Sequence, residues 1–370
     1  MDTTQIYAVV NEISSEVLGT KQIATIDAQN LISLGNTILS SQTNTEGFLN
    51  MLAQRIGRTI LSFRMYENQL GDMVLNDFEY GAILQKIKID MPAAEEDKTY
   101  DLTDGESVDM FKVNKPKAHQ KLFVTRTPYQ FHITIQRETL KEAFLSETGL
   151  SSFISGIFGE VRNAIEFTLE NLGHICLSNF IAEVSTTKRQ INLISEYKVL
   201  VPDAALTPTT AMLDNDFLRF AVKRIRNVSK KMRSMSSNFN DATTTRHTPY
   251  PDQRVRIISD FQDALETVVQ YSAFNKELVS LNAFKELNYW QSSTSPFKIN
   301  IDRSSDGESI VLDNIIGCIH DREALGIYKI SEDTITSPVN AAGRYYNTYW
   351  HEQQLWFNDL SENFVFFTLN

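Results

Sequence analysis

Cysteine is nearly absent from this sequence: Cys176 and Cys318 are the only two among 370 residues. They stand far apart in apolar text, outside any CxxC or Cys/His spacing, so a disulfide framework is not expected and a reducing compartment suits the chain. Long apolar runs are missing too. The longest uncharged, strongly apolar stretch, Thr148 to Gly159, falls short of the roughly 18 to 20 residues that span a bilayer. Met1-Asp2-Thr3-Thr4 also lacks the basic start of a signal or transit peptide. A soluble chain with no membrane partner is expected. Positive charge is in deficit, with 46 acids against 35 Lys plus Arg for a formal charge of −11. Any contact with nucleic acid must therefore be local.

Catalytic signatures are equally scarce. Neither a GxxxxGK[ST] phosphate loop nor a GxGxxG dinucleotide turn occurs, which removes the usual handles of nucleotide chemistry. The six histidines (His119, His132, His174, His247, His320 and His351) are scattered, with no HExxH and no pair at helical spacing, so no metal site is expected. There is no GxSxG elbow, and Cys176 falls on an apolar helical side, where a thiol serves as a small hydrophobe. The one compact set of titratable residues is His320-Asp321-Arg322-Glu323. It is read mainly as a helix N-terminus, with Asp321 and Glu323 favoured there by the dipole, and alternatively as a catalytic or metal-binding loop.

What is present is an ordinary globular balance, 42% apolar and 22% charged, on a chain long enough for about two and a half domains. Up to Ser40 the chain reads as an arm. Thr45 then caps a helix striped by Phe48, Leu52, Ile56 and Ile60. Gln85 to Ile89 reads as a strand.

Residues 92–121 differ from their surroundings. Two acidic clusters, Glu95-Glu96-Asp97 and Asp101 to Asp109, are followed by Lys112, Lys115, Lys117 and Lys121, with few large apolar side chains. This predicts a long polar hairpin, acidic outbound and basic on return, that needs a neighbour to offset its ordering entropy. Beyond it, Phe131, Ile133 and Ile135 alternate as in a strand.

The strongest periodicity follows: Leu150, Phe153, Ile157, Val161, Ala164, Thr168, Leu172 and Ile175 recur at spacings of three and four. It predicts a helix of roughly thirty residues, about 45 Å long, in which Gly156, Gly159 and Gly173 mark close packing or a bend. Further on, Asp216 to Met235 and Phe261 to Leu281 read as helices around the polar loop Asn238 to Pro251. Ile310 to Ile319 reads as a buried strand pair or one interrupted strand, and Asn363 to Leu369 as a strand. The first of these helices is basic. Arg219, Lys223, Arg224, Arg226, Lys230, Lys231 and Arg233 occur with no acid between Phe217 and Asn240. It is expected to be a solvated face or to pair with an acidic neighbour such as residues 95–109, with DNA contact as the alternative.

This order resembles the major capsid proteins of tailed bacteriophages, which have the Hong Kong 97-like fold. So do the phrases Ile319-His320-Asp321-Arg322-Glu323-Ala324-Leu325-Gly326-Ile327-Tyr328, Phe357-Asn358-Asp359-Leu360-Ser361-Glu362-Asn363 and Phe123 to Phe144, which look like the text of short-tailed phage head proteins. The resemblance implies an α+β chain. Its parts would be an N-terminal arm and helix (1–70), a P-domain strand region (71–91), an extended loop (92–122), a P-domain with a spine helix (123–189), an A-domain (190–340), and a P-domain return with a terminal strand (341–370).

The function implied is a non-enzymatic shell protein of the virion. It would form hexamers and pentamers of an icosahedral head, assembled in the bacterial host cytoplasm, with scaffolding and portal proteins as partners and weak, non-specific contact with packaged double-stranded DNA. No cofactor is implied. An acidic subunit suits this role, because a strongly basic inner wall would bind the entering genome. The loop would lie over the adjacent subunit, which makes Glu95, Glu96, Asp97, Lys112, Lys115, Lys117 and Lys121 the candidate inter-subunit contacts. Some relatives crosslink a loop lysine to an asparagine; no matching Asn or promoting acid is found, so crosslinking is not expected, and a separate scaffolding protein is expected rather than a cleaved segment. The alternatives are the shell of an encapsulin-like cellular nanocompartment and a nucleic-acid-processing enzyme built on the His320 loop.

Overall fold

The computed structural model describes residues 3–18, 31–56, 66–75, 83–92, 94–97, 101–107, 109, 111, 113–124, 126–145, 147–185, 187–241, 245–271, 284–302 and 307–370. Three helices open the chain: α1 (Thr3–Leu18), α2 (Leu31–Ser40) and α3 (Gln42–Ile56). Val10 and Ile13, Leu34 and Ile38, and Phe48, Leu49 and Leu52 bury their apolar stripes in one core. The described parts of the segment up to Ser40, α1 and α2, are thus packed helices where an arm was expected, because each short amphipathic stripe finds a core to cover. Thr45 is not the cap of α3. It lies inside the helix, buried, and its hydroxyl donates to the carbonyls of Ile38 at 3.1 Å and Ser41 at 2.9 Å, joining α2 to α3. Ile60 lies outside the described residues.

A four-stranded sheet has the order β1-β11-β12-β4, from β1 (Val74–Leu75), β4 (Arg126–Gln136), β11 (Leu325–Thr336) and β12 (Tyr345–Asn358). Between β1 and β4 in sequence comes an antiparallel hairpin of β2 (Leu84–Ile89) and β3 (Ala118–Phe123). After β4 come α4 (Arg137–Ala143), α5 (Glu147–Phe153), one π-helical turn (Ile154–Phe158) and α6 (Gly159–Val184). The expected single helix is therefore interrupted near its start. The widened turn contains Gly156, whose missing side chain faces open space. Gly173 is the close approach: a Cβ there would stand 2.8 Å from Cδ1 of Leu70. Leu172, His174, Cys176, Leu177, Ser178 and Phe180 are all buried while Ile175 is half exposed. Both sides of this end of α6 are covered.

A five-stranded sheet, order β5-β13-β10-β6-β7, is built from β5 (Gln190–Asn192), β6 (Gln253–Ile258), β7 (Phe284–Leu287), β10 (Ile315–Asp321) and β13 (Phe364–Thr368). Alternation in β13 turns Phe364 and Phe366 towards the core that holds α6, where Phe364 stacks on Phe180 with ring centroids 4.2 Å apart. Val365 and Phe367 turn to the other face. There α7 (Leu193–Leu200), α8 (Pro208–Ala211), α9 (Asn215–Met232) and α10 (Ser259–Tyr271) cover the sheet. A strand buried on both faces reads as a continuous apolar run, which is why Asn363 to Leu369 was legible.

The run Ile310 to Ile319 resolves differently from either expectation. β9 (Ser309–Leu312) pairs with β8 (Ile299–Asp302) in a separate two-stranded sheet, half exposed, while β10 is central and buried. Asn314, in the left-handed region at φ 58, turns the chain between them. Strand β11 joins β12 rather than β10, so the division at residue 340 does not coincide with a boundary between the sheets. The helix expected from Phe261 begins at Ser259 and ends at Tyr271; residues 272–281 lie outside the described set. Among the described residues no helix is long and apolar enough to cross a membrane.

Glycine 317 in β10 is required by its neighbour, since a Cβ there would sit 2.6 Å from the backbone oxygen of Arg256. Gly317→Ala is expected to destabilise the subunit by about 1–3 kcal/mol through forced strand separation, whereas Gly156→Ala stays within about 1 kcal/mol of wild type. Thermal unfolding of purified subunits checks the pair, and equal midpoints for both variants would contradict the packing.

Candidate assembly surface and its anchor

The β2–β3 hairpin is amphipathic in the reverse of the usual sense. Strand alternation puts Leu84, Lys86 and Lys88 on one face with Lys121 and Phe123 of the paired strand, and this face is turned to the body of the subunit. Ile83, Gln85, Ile87, Ile89, Leu122 and Val124 form the other. Ile87 and Ile89 are 61% and 63% exposed, and Leu122 and Val124 are exposed beside them. The lysines are inside and the isoleucines outside. Further along the loop, Phe111 and Val113 are 81% and 77% exposed.

The inward lysines meet the short crossover between β12 and β13. Asp359 there is fully buried. Lys121 Nζ approaches its Oδ1 at 2.8 Å, and Lys86 and Lys88 approach its Oδ2 at 3.1 and 3.2 Å. Glu362 takes the same two amines at 2.7 and 2.6 Å, and Lys86 also reaches Glu323 at 3.2 Å. Lys86 and Lys121 stand directly opposite in register, an arrangement that repels unless an anion is shared. Asp359 is that anion. Burial alone would push its carboxyl pKa up, but hydrogen bonds from Lys121 and Ser361 and the charges of Lys86 and Lys88 hold it far below the usual range. Glu362 is likewise held low against its burial by Lys86 and Lys88. Lys86 is raised despite desolvation, chiefly by Glu362.

The crossover is itself pinned. The amide of Asp359 donates to the Ala324 carbonyl at 2.6 Å, Arg189 Nη2 to the Leu360 carbonyl at 2.8 Å, and Asn358 Nδ2 to the Cys176 carbonyl of α6 at 3.1 Å. Phe123 packs on Phe357 with centroids 5.3 Å apart. The hairpin root is thereby fastened where the chain leaves the four-stranded sheet for the five-stranded one. A cleft of about 960 Å³ remains between hairpin, the 245–252 loop and the 321–323 turn.

A second ionic cluster lies deeper. Arg256, fully buried on β6, donates through Nη2 to both oxygens of Asp72 at 3.0 Å and through Nε to His320 Nε2 at 3.2 Å. Nε2 of His320 therefore accepts, and Nδ1 carries the proton donated to the Asp321 carbonyl at 2.8 Å. Burial, then the Arg256 charge, drives this imidazole down to about 3. Asp321 accepts from Thr248 Oγ1 at 2.7 Å and from the Glu323 amide at 2.8 Å. It caps a tight turn between β10 and β11, not the helix that was expected; β11 begins at Leu325, too soon for a helical turn. Among the described residues no three His, Cys, Asp or Glu side chains gather as metal ligands do. Both free thiols are buried and pushed up to about 12 by desolvation.

Comparison with known proteins matches residues 6–368 to the model of the Phi29-like phage major capsid protein. The chain belongs to that family. It is 24% identical to the major capsid protein of Bacillus phage B103 over 282 residues, 75% of this chain and 58% of that protein. Against the major capsid protein of Bacillus phage GA-1 it is 23% identical over 355 residues, 95% of this chain and 67% of that one. The chain thus spans little more than half of the first of these relatives. Among solved structures, the capsid of Staphylococcus phage Andhra superposes with a TM-score of 0.57 at 10% identity, covering 84% of this chain and 87% of that one. The α+β architecture is the Hong Kong 97-like capsid fold.

Within this family fold, the sequence-selected loop residues separate into two groups. Glu95, Glu96, Asp97, Lys115 and Lys117 are exposed on the loop beyond the paired strands, and Lys112 lies outside the described residues. Lys121 instead sits at the root and is held by Asp359 of its own chain. Lys86 and Lys88, which do the anchoring, were not singled out, since Gln85 to Ile89 was read only as a strand. The basic helix α9 pairs through Arg224 with Glu196 of α7, at 2.6 Å.

Asp359→Asn leaves three amines around a neutral side chain. It is expected to cost about 3–5 kcal/mol, as removing one partner of a buried ion pair does, and to speed proteolysis of residues 84–123. Exposed Glu96→Gln is expected to stay within about 0.5 kcal/mol; equal urea midpoints for the two would contradict the anchor.

Acid sensitivity has a separate source in His320. The unfolded chain binds a proton near pH 6.5 and the folded one only near 3, so stability falls as pH drops through that window. His320→Asn should flatten the slope of unfolding free energy between pH 6.5 and 4.5 by up to about 1.4 kcal/mol per pH unit. Urea titrations across that range read it, and an unchanged slope would mean the buried imidazole is not the group responsible.

Proposed function

We propose that many copies of this chain close into the icosahedral head of a tailed, short-tailed phage around double-stranded DNA, as a structural component of the virion with no catalytic step. The observation that carries the reading is the outward apolar face of the hairpin. A subunit that turns lysines inward and Ile87, Ile89, Leu122 and Val124 outward is built to be covered by another copy. Each such side chain contributes about 1.5–3 kcal/mol when fully buried. Family membership supports the same reading.

In this proposal the loop beyond the paired strands, residues 92–117, lies over the adjacent subunit. Glu95, Glu96 and Asp97 outbound, and Lys115 and Lys117 on return, supply opposite charges at the contact, each exposed pair adding about 0–1 kcal/mol. α6 is the spine of a P-domain centred on the four-stranded sheet. The five-stranded sheet with α7, α9 and α10 is the A-domain, grouped with its copies at the centres of hexamers and pentamers. Scaffolding and portal proteins are the further partners. The buried, doubly engaged imidazole of His320 supports the non-enzymatic reading, since it offers no proton to a substrate.

Negative-stain electron microscopy of the recombinant chain, expressed alone and with its neighbouring genes, is expected to show closed particles or capsomer rings. Ile87→Asp combined with Ile89→Asp should leave subunit unfolding near wild type while abolishing particles, because about 3 kcal/mol lost per contact is over a hundredfold in its equilibrium constant. Particles at wild-type yield from the double variant would overturn the proposal.

A further inference from the structure

The outer side of α9 is not used by anything described above. Its apolar residues Leu218, Ala221, Ile225, Val228 and Met232 are buried on the five-stranded sheet. Arg219, Lys223, Arg226, Lys230 and Arg233 recur at spacings of four, three, four and three on the opposite side. At 3.6 residues per turn they fall within about 80° of the helix circumference, along about 21 Å. Four of the five are exposed and Arg226 is half buried.

Compensation is slight. Arg219 meets Asp216 at 3.4 Å, between two exposed side chains, and Arg233 lies 4.3 Å over the ring of Tyr250. Among the described residues Lys223, Arg226 and Lys230 make no ion pair. Glu196 of α7, the strong carboxylate partner of this helix among the described residues, is taken by Arg224 on the flank. A straight row of cations thus sits, held rigidly by its buried face, on a chain whose net charge is −11.

We infer that this stripe is a contact site for the phosphate backbone of double-stranded DNA. The inference rests on the proposed role as a DNA container. Two candidate partners carry negative charge, a duplex and the acidic arm of a neighbour's hairpin, and the even spacing of the stripe over about 21 Å favours the regularly repeating charge of a duplex backbone. Its three arginines and two lysines are all ordinary phosphate contacts, which act through counterion release and need no fixed pairing. A row of cations meeting phosphates positions the duplex without reading its sequence. A single row per subunit, on a chain of net charge −11, holds DNA loosely and lets it slide as it is packed.

The test is fluorescence anisotropy of a labelled 40-base-pair duplex of mixed sequence with full-length, unassembled subunits between 50 and 200 mM salt. Wild type is expected to bind with a log–log salt slope of about −4. Lys223→Gln with Lys230→Gln should reduce that slope by about 2 and weaken binding at 50 mM salt by about tenfold or more, with particle assembly unchanged. Equal affinity and slope for variant and wild type would overturn the inference. So would loss of particles with DNA affinity intact, which would assign the stripe to a neighbouring subunit. The anisotropy is read on free subunits, so a wild type that never closes shells would defeat the container proposal without being mistaken for failure of the DNA contact.

Discussion

Three lysines of the hairpin root, two of them largely buried, and two buried carboxylates of the β12–β13 crossover share one site, and the rest of the arrangement follows from the need to neutralise them. Removing such charges from water is expensive, and their mutual attraction does little more than offset the desolvation. The net stabilisation is therefore modest, but the penalty for any hairpin position that separates Lys86 or Lys88 from Asp359 and Glu362 is large. Orientation is what the cluster secures. With the lysine face committed inward, strand alternation leaves Ile87, Ile89 and Leu122 no place but outside.

The position of this site ties the hairpin to the whole subunit. Asp359 and Glu362 occupy the link between the two main sheets, and that link is hydrogen-bonded to α6 through Asn358 and to the start of β5 through Arg189. Asp72, just before β1, is clasped in turn by Arg256 of the five-stranded sheet. One ionic contact therefore ties the segment before β1 to the five-stranded sheet, beside His320, and the other fastens the hairpin to the link between the two sheets. The hairpin's direction is thus set by charge as well as by packing.

Much of the architecture was legible because its signals are local. The period of α6, the two-sided burial of β13 and the charged loop between paired strands each follow from residues a few places apart. The misreadings share one cause, tertiary partners that no local pattern displays. Residues 3–40 looked like an arm until α1, α2 and α3 supplied apolar surfaces for one another. Asp321 looked like a helix cap, yet its oxygens are used by Thr248 and by a turn that β11 cuts short. Alternation of Lys86 and Lys88 with Ile87 and Ile89 was visible, but the direction of that alternation was not, because it depends on Asp359 and Glu362 more than two hundred residues away. The phrase Asn358-Asp359-Leu360-Ser361-Glu362 carried the resemblance to phage head proteins without revealing that its acids receive the hairpin.

The most direct measurement is a cryo-electron microscopy map of assembled particles at side-chain resolution. The account predicts Lys86, Lys88 and Lys121 on Asp359 and Glu362 of their own subunit, with Ile87, Ile89 and Leu122 covered by an adjacent one. A hairpin whose aliphatic face is open to solvent in the particle, or whose lysines pair across the subunit boundary instead, would contradict it.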